Sequence, residues 1–148
     1  FGMQPQRGDD GTLEFVLPMG DAPLPGIAAD DIGPCAAALF RRGEPMVGRT
    51  VGIAGEHLTG AQMAGALSRA LGEPVRHVSP DARTYAASGR PGADDLANMF
   101  QFKVDFNGVY RAARPVDATR ALNPALKGFD DWLRLHAHRI PVERATTA

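Results

Sequence analysis

The sequence predicts an α/β fold with a small mixed sheet of about four strands and about five or six helices, in a single region over residues 1–148. Short apolar runs at period two alternate along the chain with longer runs at helical spacing. Seventeen glycines and twelve prolines fall mainly at the joints between these runs, where chain reversals belong. Apolar residues make up 44% and charged residues 22%, which supports a packed core and excludes a disordered chain.

Residues 1–11, FGMQPQRGDDG, lack apolar periodicity and read as an exposed lead-in. TLEFVLP at 12–18 sets Leu13, Phe15 and Leu17 at period two and stops at Pro18, as a strand does. A loop through Pro23 and Pro25 then leads to a short extended piece at 26–29. Asp30 or Asp31 can cap a helix over 32–42 whose first turn accepts Pro34, with Ile32, Cys35, Leu39 and Phe40 on one face. GRTVGIAG at 48–55 predicts a Val/Ile strand bounded by glycines. Thr59 and Gln62 form a capping box for the next helix, where Met63, Ala66, Leu67, Ala70 and Leu71 recur at helical spacing until Gly72 stops it.

PVRHVS at 74–79 reads as a strand, and Ser79–Pro80 starts a short helix that breaks near Gly89. Pro91 with Asp94 and Asp95 opens another helix, suited to the positive end of its dipole, with Leu96, Met99, Phe100 and Lys103 on its inner side. RPVDATRALNP at 114–124 reads as a turn-rich connection. Phe129, Trp132, Leu133 and His136 recur at i, i+3, i+4, i+7 and predict a last helix to about His138. The tail VERATTA is expected to fray.

Several chemistries are excluded. Sixteen basic and seventeen acidic residues leave a net charge of −1 with no concentrated sign, so no direct nucleic-acid partner and no anionic membrane surface is expected. No window approaches the roughly 20 apolar residues that span a bilayer. The lone Cys35 cannot form an internal disulfide, and the reducing cytoplasm is the expected setting. Neither G-x-G-x-x-G nor a phosphate-binding G-x-x-x-x-G-K-[ST] occurs, so this chain alone is expected to hold no cofactor. His136 and His138 are two apart, not the four that shared ligation on a helix requires, while His57 and His77 are isolated; no metal site is expected. Ser68, Ser79 and Ser88 occupy no nucleophile elbow, and Cys35 lies on an apolar stripe. Four residues after Tyr85 and Tyr110 stand Gly89 and Arg114, so a Tyr/Lys reductase pair is absent. Asp30/Asp31, Asp94/Asp95 and Asp130/Asp131 fall at helix starts and read as caps, not as acid–base pairs. No catalytic residue is therefore assigned.

Four segments resemble the NmrA-like family of atypical short-chain dehydrogenase/reductase-like proteins. They are GDAPLPGIAADDIGPCAAALF, GRTVGIAGEHLTGAQMAGALSRALGEPVRHV, GRPGADDLANMFQF and LNPALKGFDDWLRLH, and the string at 91–100 is the most specific. The resemblance runs from about residue 12 to 138, and implies the C-terminal portion of a Rossmann-like NAD(P)-binding fold. The family's glycine-rich turn, its NADP-selecting residues and its nicotinamide-side lysine all lie in a front half with no counterpart here. With Phe1 at the first position and no phosphate turn, the chain reads as the substrate-side half of a longer parent, which would carry NADP or NAD.

Two functions compete for that half: a redox-sensing regulator without turnover, acting in transcriptional regulation, and an NAD(P)H-dependent oxidoreductase of quinones or similar small molecules. A free-standing helical binding module ranks last, since Arg69 is the one basic residue in the capped helix. Pro91, Asn98, Met99, Phe100 and Phe102 are the candidate pocket wall or partner surface. Met99 and Phe102 project together on a helix while Phe100 is turned away by about 100°, and Asn98 adds a polar group beside the apolar patch. A small molecule or protein partner through this cap, and a homo-oligomer, complete the expectations.

Overall fold

The computed structural model describes residues 4–142. A three-stranded mixed sheet has the order β1 (Gln6–Arg7), β2 (Leu13–Val16), β5 (Val75–Val78), with β1 antiparallel and β5 parallel to β2. A separate antiparallel ribbon pairs β3 (Leu24–Gly26) with β4 (Glu56–Leu58). Among the described residues the α-helices are α1 (Ala29–Arg42), α2 (Gly60–Leu71), α3 (Ala82–Ala86), α4 (Ala93–Asp105), α5 (Asn107–Ala112), α6 (Val116–Leu122) and α7 (Phe129–His136). Single 3₁₀ turns follow α1 and α7.

The period-two run of β2 works as its spacing demands. Leu13, Phe15 and Leu17 are buried on one side with Ala64 and Leu67 of α2, while Glu14 on the other side pairs with Arg76 of β5. Two parallel neighbours need a long crossover, and here α1, the ribbon and α2 supply it. α2 starts on the predicted capping box, in which Gln62 N–H donates to Thr59 Oγ1 and Thr59 N–H to Gln62 Oε1. It ends on Gly72 in the left-handed conformation, φ 75°. α7 packs on α2 and buries Leu133.

Several expectations are corrected. The supposed lead-in contains β1, since Gln6 and Arg7 satisfy the edge of β2. The extended piece lies at 24–26, not 26–29, and residues 48–55 form no strand; pairing starts at Glu56. α1 buries Asp31, Cys35 and Ala38, whereas Ile32 and Phe40 are exposed, so its inner face is rotated from the one the apolar residues marked. Its N-cap is Ala28, without a side-chain cap. α3 is capped by Asp81, whose carboxylate accepts from Thr84 N–H at 2.7 Å, and not by Ser79. α4 is inward at Ala93, Ala97 and Phe100, with Leu96, Met99 and Lys103 half-buried. The 114–124 connection is largely helix α6, held by Thr119, whose buried hydroxyl accepts from Ala54 N–H and donates to Pro115 O. Of the tail expected to fray, residues 143–148 lie outside the described residues.

Candidate functional site

The ribbon has two faces because side chains alternate along a strand. Leu24 pairs with Leu58 and Gly26 with Glu56, and these four turn to one side; Pro25 and His57, paired between them, turn to the other. On the first side lies an apolar cleft of about 350 Å³, closed by Ile27 and Ala29 at the start of α1, Met63 of α2, and Phe129 and Trp132 of α7. The size suits a small molecule. β4 runs directly into α2, which returns antiparallel to β5, so the cleft lies beyond the carboxyl ends of the parallel strands. That is where open α/β sheets bind ligands.

Close packing fixes this geometry. Gly60 opens α2 directly over the His77 ring, and any side chain there would overlap Nε2. That ring donates from Nε2 to Leu17 O at 3.0 Å, tying the ends of β5 and β2. Phe129 and Trp132 lie parallel, with centroids 6.5 Å apart, and His136 continues the row 5.0 Å from Trp132. A second lobe of about 630 Å³ shares Ala29, Met63, Phe129 and Trp132 with the cleft and runs on to His136 and Arg139.

The cleft has two ionisable lining groups, Glu56 and Lys127, and both are engaged. Glu56 caps α7 by accepting from Phe129 N–H at 2.7 Å, against a Gly128 whose Cβ would come within 2.9 Å of the carboxylate. Lys127 holds the buried Asp31, with its ammonium at 2.7 Å and its backbone N–H at 2.9 Å, while Asn123 Nδ2 stands at 3.4 Å. Burial pushes the Asp31 carboxyl up, but Lys127 and Asn123 together outweigh it and hold it below the usual carboxylate range. Asp31 was expected to be a helix cap; it is half of a buried ion pair. Burial, and then the Asp31 charge, push the Cys35 thiol up, away from nucleophilic use.

On the ribbon's far side, His57 donates from Nε2 to Arg114 O at 2.9 Å and accepts at Nδ1 from Arg111 Nε at 3.2 Å. The Arg114 guanidinium stacks on Tyr110, 3.8 Å from the ring centroid, and the Lys103 ammonium stands 5.5 Å from Phe100 and 5.6 Å from Tyr110.

The five residues singled out in the sequence divide by burial. Phe100 is buried, edge-on to Tyr85 at 5.9 Å, and Met99 is half-buried against the core. Pro91, Asn98 and Phe102 are exposed. None of the five lines the apolar cleft. Of the residues that do, Leu24 reads from the sequence as loop and Met63, Phe129 and Trp132 as apolar positions at helical spacing, while Leu58 has no role there. The signal available was the aromatic row at 129, 132 and 136, which helical spacing alone assigns equally to core or pocket.

A dinucleotide requires a free helix N-terminus for its pyrophosphate. α1 and α4 open with Asp30/Asp31 and Asp94/Asp95, α2 is closed by its own capping box, and α7 is taken by Glu56. None of these four longer helices therefore fits the phosphates of such a cofactor at its start.

The sequence model of the NmrA-like family matches residues 2–133. A solved structure of NmrA, a negative transcriptional regulator, in complex with NADP superposes with a TM-score of 0.67 at 23% identity, covering 90% of this chain and 47% of that one. The same regulator in complex with NAD gives 0.66 at 23% identity with the same coverage. A nucleoside-diphosphate-sugar epimerase from Staphylococcus aureus gives 0.61 at 18% identity, covering 82% and 43%. The chain thus spans about half the length of these solved relatives.

Proposed function

We propose, from the premise that this chain belongs to the NmrA-like family, that it is the ligand- and partner-binding half of an NAD(P)-binding regulator that senses without turnover. The observation carrying this reading is the apolar cleft, whose two ionisable groups, Glu56 and Lys127, are committed to a helix cap and an ion pair. The lining of this cleft binds and orients, since its own two ionisable groups are not free to act as acid or base, while the adjoining lobe brings Asp30, His136 and Arg139 beside it. The dinucleotide phosphates would be held by a partner half, since the helix starts here do not fit them. NmrA, bound to NADP or NAD in its own structures, is the support for either nicotinamide cofactor in the whole protein. Cys35, buried and unpaired, fits a cytoplasmic setting, and no described helix is long and apolar enough to cross a membrane.

Trp132 is the single tryptophan and lines the cleft, so its fluorescence reports occupancy directly. A naphthoquinone titrated into the purified chain is expected to quench it saturably, whereas NADPH is expected to give no saturable change. Gly26 lines the cleft, and a Cβ there meets nothing within 4 Å, so Gly26→Leu grows into open space. That variant is expected to weaken quinone binding by about tenfold or more while leaving stability nearly unchanged. Equal binding by both chains would remove the cleft from the proposal.

A further inference from the structure

We propose that the exposed apolar row Phe102, Phe106 and Val109, flanked by Lys103 and Arg114, docks an acidic amphipathic helix of a partner protein. The surface shares no residue with the cleft and does not depend on what the cleft binds. α4 and α5 meet at Phe106, which leaves helical geometry with φ −109° and ψ 25° and divides the arm into two helices. Phe106 N–H donates to Phe102 O at 3.0 Å, and Tyr110 N–H donates to Phe106 O at 2.9 Å. The Phe102 and Phe106 rings pack on each other across this joint with centroids 4.9 Å apart, and Val109 follows in the first turn of α5. Phe102 and Phe106 are each 53% exposed and Val109 is 75% exposed. Such a contiguous apolar row on a surface marks an interaction site more often than scattered single residues do.

Lys103 and Arg114 gather on the Tyr110 ring beside this row. Both cations rest on aromatic rings, and neither meets a carboxylate among the described residues. Burial, and then the charge of Arg114, hold Lys103 below the ordinary lysine range, so the two repel and lack a counter-charge. An incoming carboxylate supplies one. On the opposite flank Gln101 donates to Asp105 at 2.7 Å, which puts a carboxylate on that side. The surface thus has a direction, and the acidic side of a docked helix must lie along Lys103 and Arg114.

Other occupants fit less well. The rings of Phe102 and Phe106 pack on each other at 4.9 Å and Val109 has no stacking face, so bases find no platform. Antiparallel two-fold pairing with a second copy would bring each Lys103/Arg114 flank against its own equivalent, like charge on like.

The test is fluorescence anisotropy on the full 148-residue chain. The probe is a labelled peptide of about 18 residues, long enough for partial helicity, with leucines at helical spacing and glutamates along one flank. Its control carries lysine in place of glutamate. The acidic peptide is expected to bind at least about tenfold tighter than the basic one, and to weaken as salt rises. Phe106→Ser and Val109→Ser are each expected to reduce that binding by about tenfold, and Lys103→Gln with Arg114→Gln to abolish the preference for acid. Circular dichroism and a urea-unfolding midpoint unchanged from the parent chain show that each variant remains folded. Equal affinity for the two peptides, no effect of Phe106→Ser, or stronger competition by single-stranded RNA overturns the proposal. So does self-association of the chain that Phe106→Ser abolishes without changing peptide binding.

Discussion

Replacing Asp31 with alanine removes the acceptor of the one buried ion pair among the described residues. The carboxylate is 2% exposed and takes the Lys127 ammonium at 2.7 Å, the Lys127 backbone N–H at 2.9 Å and Asn123 Nδ2 at 3.4 Å. Losing it strands a backbone donor in an apolar setting, which costs about 1–3 kcal/mol. The Lys127 side chain is 29% exposed and can turn to water, so the pair as a whole falls below the roughly 3–5 kcal/mol of fully enclosed pairs. A net loss of about 3 kcal/mol follows, which for a chain of this size lowers the melting temperature by roughly 6–12 °C.

The pH dependence has a definite sign. The folded carboxyl is held below its unfolded value, so its contribution is complete above that unfolded value, near ~3.9, and is lost as pH falls through the folded one. Urea unfolding across pH is the assay. The gap between the wild-type chain and Asp31→Ala is expected to stay constant from neutrality to about pH 5 and to close in stronger acid. A gap below about 0.5 kcal/mol at neutral pH, or one that persists undiminished in acid, would refute the assignment.

Gly60→Ala is expected to cost about 3 kcal/mol in urea unfolding because its Cβ overlaps the His77 ring, and the same change made in a His77→Ala background should cost much less; an undiminished cost means another neighbour is the obstacle. Thr59→Ala should cost about 1 kcal/mol, and Gln62→Ala added to it much less than it costs alone, since the box is reciprocal; strictly additive losses in thermal unfolding would show two independent caps. Phe40→Ser, at a residue 84% exposed, should move stability by less than about 0.5 kcal/mol, and a drop of several times that would restore Phe40 to the core.

The elements legible in the sequence are those whose signal lies within a few residues. The Thr59/Gln62 box is a contact across three positions, the stop at Gly72 a backbone preference, and β2, β5 and α7 carry their periodicity in full. The family, too, was legible, because strings such as PGADDLANMF are local. What failed was whatever depends on a distant partner. Val51 and Ile53 look like strand, yet a strand needs a neighbour to bond with, and β3 aligns with Glu56–Leu58 instead. Ile32 and Phe40 match the period of a buried face, but α1 is turned by Lys127, 96 residues further on, which draws Asp31 inward. The cleft is decided in the same way, since alternation says only that Leu24 and Leu58 point to one side and the packing of α7 decides whether that side is core, solvent or pocket. Local hydrogen bonding and spacing can be read from a chain in order, whereas the free energy of burial belongs to pairs of surfaces that only the folded chain brings together.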